Sequence, residues 1–159
     1  MTGAATHQQD ELLGARLWLA LSLALGLPAA ILGWVPLDQP AIWPEWARHL
    51  ALHPDQSWHQ TPWPWWGAVW LHGSTQHLYR NLAALILIAL LGWRVRVSIQ
   101  ATLIWFLAWP LTQIGIIGQP LHIYIGLSGV LHAGACVIAL HDVTNQSTKR
   151  KPLIGYLLL

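Results

Sequence analysis

The sequence predicts an all-α integral membrane protein: a helical bundle of four full helices followed by the start of a fifth. Three observations predict it. Charged residues fill 9% of the 159 positions and hydrophobic ones 55%, whereas ordinary soluble domains are roughly 25% charged. Apolar stretches approach the roughly 20 residues that a hydrocarbon core of about 30 Å requires, and they recur along the chain. Twelve Trp stand against a single Phe, and Trp concentrates where a chain crosses membrane–water interfaces. Disorder is excluded, since disordered chains are poor in apolar residues and rich in charge. A net charge of +2 is too weak a field to attract nucleic acid. The single cysteine, Cys136, leaves no intrachain disulfide and no thiolate zinc cluster.

The first helix is expected over residues 12–34, with Arg16 near its start. It is longer than the apolar run of a secretory signal and no A-x-A site follows it cleanly, so it reads as a retained helix. Residues 35–70 form a long loop rich in Pro and Trp, the kind of segment that carries function or structure of its own. Within it, Pro44 at a first helical position and Pro54 at the exit predict a short helix. Trp63, Trp65 and Trp66 are expected in the headgroup zone. The second membrane helix is expected over 77–93, the third over 98–117 with a kink at Pro110, and the fourth over 123–141. After the polar run TNQSTKRK, the segment PLIGYLLL (152–159) reads as the start of a fifth. Counting crossings places Arg16, Arg94, Arg96, Lys149, Arg150 and Lys151 on one side, which the positive-inside rule makes cytoplasmic. The 35–70 loop then lies on the outer side. One domain spans 1–159, without internal repeats.

Strongly polar groups inside a bilayer are costly and are functional candidates by default. His77 and Asn81 are four apart and share a helix face, with His72 just before them in the approach loop. By themselves they are consistent with interhelical hydrogen bonding. In Gly126-Leu127-Ser128-Gly129 the glycines permit close approach of another helix or a substrate backbone, and by itself this segment is consistent with small-residue packing. Together the two segments say more. Both lie at the outer face, so Ser128, His77 and Asn81 can meet at similar depth. A serine nucleophile needs a base and donors for the developing oxyanion. Asn81, His77 and the backbone N–H of Ser128 near a helix start suit the donor role.

In these motifs the chain resembles the rhomboid intramembrane serine proteases. That family's second helix carries a His, four intervening residues, a second His and then an Asn four on, as His72, His77 and Asn81 are spaced. Its nucleophile lies in G-x-S-G at the start of the fourth helix, matching Gly126, Ser128 and Gly129. The segments HLYRNLAAL and GLSGVLHA further resemble the rhombosortase subgroup, which typically reads GLSGVLHG and is thought to process proteins with a C-terminal Gly-Gly sorting tail. Ala133 stands in place of the final Gly. The resemblance implies an intramembrane serine endopeptidase acting in or near a transmembrane segment of a protein substrate. It also implies a bacterial inner membrane location with the site opening to the periplasmic side, and no metal or organic cofactor. His72 would help to retain the deacylating water.

The family's general base is a His in an A-H-x-x-G-type segment, which does not occur among these 159 residues. Two expectations follow: a piece of an active protease, or a protein without its base that binds transmembrane clients uncut. His132, four residues after Ser128, faces the same way. It lacks an evident carboxylate to orient it, and the resemblance assigns it a supporting role. His141 is about three turns deeper, too far to act. Two other classes fit parts of the sequence. Nine His could include axial haem ligands on facing helices, although haem needs neither Asn81 nor a G-x-S-G. Glu45, His49 and His53 at i, i+4 and i+8 form a conceivable metal face, read here as solvated or interfacial.

Overall fold

The computed structural model describes residues 2–36, 39–56 and 61–145. The expected fifth-helix start at 152–159 lies outside the described residues. Among the described residues six α-helices follow in order: α1 (Thr2–Leu32), α2 (Glu45–Leu50), α3 (Trp63–Gly67), α4 (Thr75–Arg94), α5 (Ile99–Ile114) and α6 (Ser128–Asn145), with short 3-10 turns at Pro40–Ile42 and Ala68–Trp70. Among the described residues there are no strands, only two isolated β-bridges. The fold is all-α, as the composition predicts. Among the described residues one helical segment, Gln9–Leu32, is long and apolar enough to cross a membrane, while Ile99–Ile114 and Ser128–Thr144 are apolar but shorter.

The four long helices form a closed ring of neighbours. α1 packs on α4 and α5, and α6 packs on the same two from the other side. Each of the middle helices starts where a hydroxyl can cap it. Ser74 accepts a hydrogen bond from His77 N–H at 3.1 Å and Ser98 one from Ala101 N–H at 3.2 Å. Such caps satisfy first-turn amides that have no intrahelical acceptor.

Tryptophan also organises the interior. Trp18 and Trp105 are fully buried and stack at 4.0 Å between centroids. Their indole N–H groups donate to backbone carbonyls of neighbouring helices, Trp18 to Ile88 at 3.1 Å and Trp105 to Val130 at 2.8 Å. Trp109 donates to Trp66 carbonyl at 2.9 Å and Trp70 to Ala24 carbonyl at 3.1 Å. A large apolar ring with one donor suits an apolar bundle, because it fills volume and still has its N–H satisfied. Glycines make the room: a Cβ on Gly134 would stand 2.7 Å from Trp105 Nε1. Among the described residues, Trp34, Trp46, Trp63 and Trp93 are exposed. Trp66 instead packs edge-on against Trp109 at 5.4 Å.

Element boundaries differ from expectation: α1 begins at Thr2, ten residues before the expected 12, α5 ends at Ile114, three before the expected 117, and two further differences bear on the site. The helix expected from 123 starts at Ser128, five residues later, because the chain from Tyr124 to Gly126 is tied elsewhere. Tyr124 exchanges backbone hydrogen bonds with Leu52 at 2.8 and 3.4 Å, and Gly126 N–H donates to Ala68 carbonyl at 2.9 Å. Gly126 has φ +115°, which no helix accommodates. In the 35–70 segment, Pro44 is the N-cap of α2 and not a first helical residue, and α2 ends at Leu50. His53 is therefore off that helix. Glu45 and His49 pair at 3.5 Å, while His53 Nδ1–H donates to His122 carbonyl at 2.6 Å. The i, i+4, i+8 face is thus broken, and among the described residues no group of three His, Cys, Asp or Glu is placed to hold a metal.

Candidate active site

The N-terminal ends of α4 and α6 and the segment between residues 70 and 74 converge on one polar cluster. His72 is locked first. Its backbone N–H donates to Gly33 carbonyl, its carbonyl accepts from Val35 N–H at 3.0 Å, and its Nδ1–H reaches Trp70 carbonyl at 3.3 Å. Its ring is fully buried and meets His77 edge-on, with 5.0 Å between centroids. Burial, with a smaller contribution from a charge on His77, pushes the His72 imidazole down to about 4 against the opposing pull of the Trp70 carbonyl. His72 is therefore a neutral ring at physiological pH.

His77 and Asn81, one turn apart on α4, close around Gly126. A Cβ at Gly126 would lie 2.8 Å from His77 Cε1, 3.2 Å from His77 Nε2 and 3.6 Å from Asn81 Nδ2. No side chain larger than hydrogen fits there, and φ +115° independently favours glycine. Two residues on, Ser128 opens α6. Leu131 N–H donates to Leu127 carbonyl at 3.0 Å, so the helix ladder begins at Leu127. The amides preceding Leu131 in that first turn have no helical acceptor, which makes the turn a site for a negatively charged oxygen. Gly129 backs the same turn against Tyr124 and Thr112, whose hydroxyls would stand 3.1 and 3.5 Å from an added Cβ.

Asn81 and Ser128 line one groove, together with His132. It is a cavity of about 360 Å³ between α4 and α6, apolar along its length, with Asp142 at its far end. Asn81 is buried, and its Nδ2 has no hydrogen-bond partner. The interhelical hydrogen bonding that His77 and Asn81 suggest by themselves does not engage this amide. A buried donor without an acceptor costs about 1–3 kcal/mol, and such groups commonly mark functional sites or ordered water. His132 Nδ1–H donates to the backbone carbonyl of Ser128 at 2.7 Å. Among the described residues no imidazole hydrogen-bonds the Ser128 hydroxyl.

All seven residues singled out from the sequence, His72, His77, Asn81, Gly126, Ser128, Gly129 and His132, thus fall at the junction of α4 and α6 or on the first turns of α6. Sequence reasoning passed over Gln113. It is fully buried on the last turn of α5, and neither amide atom has a partner. The signal was present as a lone carboxamide at the end of an apolar helix. Thr112 and Tyr124, which back Gly129, carried no such signal because their proximity arises from chain crossing. No family model matches the chain, and neither the curated proteins nor the solved structures yield a match.

Proposed function

We propose that this protein is a rhomboid-type intramembrane serine endopeptidase that cleaves a peptide bond in or near a transmembrane segment of its substrate. The observation that carries the reading is Asn81: a buried amide donor, unpartnered, lining the same groove as a serine on the first turn of a helix. In this reading Ser128 Oγ attacks the scissile carbonyl. The oxyanion is held by Asn81 Nδ2–H, by His77 and by the Ser128 backbone N–H. Gly126 lets His77 and Asn81 approach the segment that leads into the nucleophile, and neutral His72 buttresses His77. A substrate ending in a Gly-Gly sorting tail suits the resemblance to rhombosortases.

The membrane setting is supported by what the bundle exposes. Leu23, Leu27 and Ile31 on α1, Ile86 and Leu90 on α4, Leu103, Ile104 and Leu107 on α5, and Leu140 on α6 all face outward. Large aliphatic side chains on the outside of every long helix suit lipid, whereas water would favour charge there. With Arg94 and Arg96 at the end opposite Ser128, the site opens to the periplasmic side of a bacterial inner membrane.

A second reading has one observation in its favour, the absence of an imidazole on Ser128 Oγ among the described residues. It is a rhomboid-like protein that binds transmembrane clients without cutting them. Reconstitution in proteoliposomes with a transmembrane reporter bearing a Gly-Gly tail separates the two. The protease reading expects cleavage that Ser128→Ala abolishes. Reporter captured intact, equally by the wild type and Ser128→Ala, would sink it.

A further inference from the structure

Resting on the protease reading, we propose that the groove between α4 and α6 receives the substrate's transmembrane segment and reads a charge at each of its ends. Asp142 takes a basic residue about 14 positions past the scissile bond, and Arg80 takes a carboxylate on the outer side of that bond. Asn81 and Ser128 line one end of the groove and Asp142 the other. From Ser128 to Asp142 is 14 residues, roughly 21 Å of helix. The walls between are apolar, and small at Ala84, Ala135 and Ala139, which lets another helix come close. Asp142 is the one acidic residue in that lining.

Arg80 stands one turn before Ala84 and continues the row Ala84, Leu87, Leu91 that forms the α4 wall. It is exposed and has no carboxylate partner among the described residues. A cation on a membrane helix is costly and functional by default. Its long side chain leans toward the helix N-terminus, the end at which Ser128 lies. A helical segment bound alongside α6, with its scissile carbonyl at Ser128, brings its residue 14 positions on to Asp142. A tail that crosses inward from the cut carries Lys or Arg at its cytoplasmic end, so the carboxylate meets a charge that such a tail already has. A cation placed earlier in the tail would lie against Ala135 and Ile138 with no partner, and an anion at position 14 would face Asp142 itself. Like charges set against each other exclude wrong partners more effectively than a matched pair strengthens the right one. The groove thus selects for the length of the apolar span as well as for its charge.

The test uses the full chain in proteoliposomes with transmembrane reporters that bear a Gly-Gly tail and carry Lys, Gln or Glu at position 14 past the cut, or Lys at position 7. The wild type should cleave the Lys reporter about tenfold faster than the Glu reporter, which is about 1.4 kcal/mol of discrimination, and treat Lys at position 7 no better than Gln at 14. Asp142→Lys should reverse the order, a gain that misfolding does not produce. Arg80→Glu should likewise switch the preference just before the scissile bond from Asp to Lys. A photoreactive residue at Ala135, in a Ser128→Ala background, should capture the intact reporter. Unchanged preferences in both charge-reversed enzymes, with cleavage still abolished by Ser128→Ala, would overturn the proposal and leave the protease reading standing. Capture at Ala135 of a second copy of the chain or of lipid, and not of the reporter, would overturn it too. A wild-type chain that cleaves none of the reporters would overturn both.

Discussion

Two glycines with left-handed backbones allow strain and crowding to be measured separately at the candidate site. Gly118 has φ +85° and nothing within 4 Å of an added Cβ. Gly118→Ala should therefore cost only the left-handed penalty, about 1–2 kcal/mol. Gly126 has φ +115°, and its Cβ would stand 2.8 Å from His77 Cε1, well inside the 3.4 Å at which ordinary contact begins. The neighbour to be displaced is an imidazole whose other side meets His72 at 5.0 Å between centroids, so it has little room to retreat. Overpacking of this kind adds about 1–3 kcal/mol, giving Gly126→Ala a total of about 2–5 kcal/mol. The functional consequence should be larger than the difference in stability. Moving His77 and Asn81 by a fraction of an ångström misplaces oxyanion donors, and a 1 Å error in a reacting geometry costs about 10²-fold in rate. Equilibrium unfolding in detergent gives the first quantity and fluorophosphonate labelling the second. Gly118→Ala should label as the wild type does and Gly126→Ala about 10²-fold more slowly. If Gly126→Ala matches Gly118→Ala in both assays, His77 and Asn81 do not form the cluster described.

Other expectations follow from single contacts. Asn81→Ala removes one oxyanion donor and should slow the chemical step by about 2.7–4 kcal/mol with little loss of stability, since the amide has no partner to lose; an unchanged cleavage rate in proteoliposomes would take Asn81 out of the mechanism. Trp105→Phe deletes the donation to Val130 carbonyl and should destabilise the fold by about 1 kcal/mol, read by chemical unfolding. Ser74→Ala should cost about 1 kcal/mol through loss of the α4 cap, also read by unfolding. His72 makes stability depend on pH. Its folded value of about 4 lies below the ordinary 6.5, so its contribution is complete above pH 6.5. It declines as pH falls from 6.5 to 4, by roughly 3 kcal/mol in all, and levels off below. Unfolding measured from pH 7 to 4 should show this slope, and His72→Gln should flatten it.

The helices were legible because their signals are local. Capped by Ser74 and Ser98, α4 and α5 begin within two residues of the expected starts, and the apolar runs extend to within a few residues of the observed ends. The fourth helix was misjudged by five residues because its true start depends on partners distant in sequence. Ile123–Leu127 is as apolar as the helix that follows, and only the pairing of Tyr124 with Leu52 and the tie from Gly126 to Ala68 hold it out of the ladder. The metal face failed for a similar reason. The spacing of Glu45, His49 and His53 is helical, but Ala51 turns to an extended conformation with ψ 135°.

By itself the sequence determined that the chain is all-helical and which residues are candidates for chemistry, since periodicity, capping and a short polar motif are written in neighbouring residues. What tertiary structure alone decided is that these candidates meet. Packing of α4 against α6 brings His77 and Asn81 to within van der Waals reach of Gly126, buries an amide without an acceptor beside Ser128, and directs Nδ1 of His132 to a carbonyl and not to the serine hydroxyl. The Trp residues show the same division. Their number pointed to a membrane interface, but whether an indole ends in headgroups or donates across the core to Ile88 or Val130 depends on which carbonyl lies 3 Å away on another helix, and no local pattern encodes that distance.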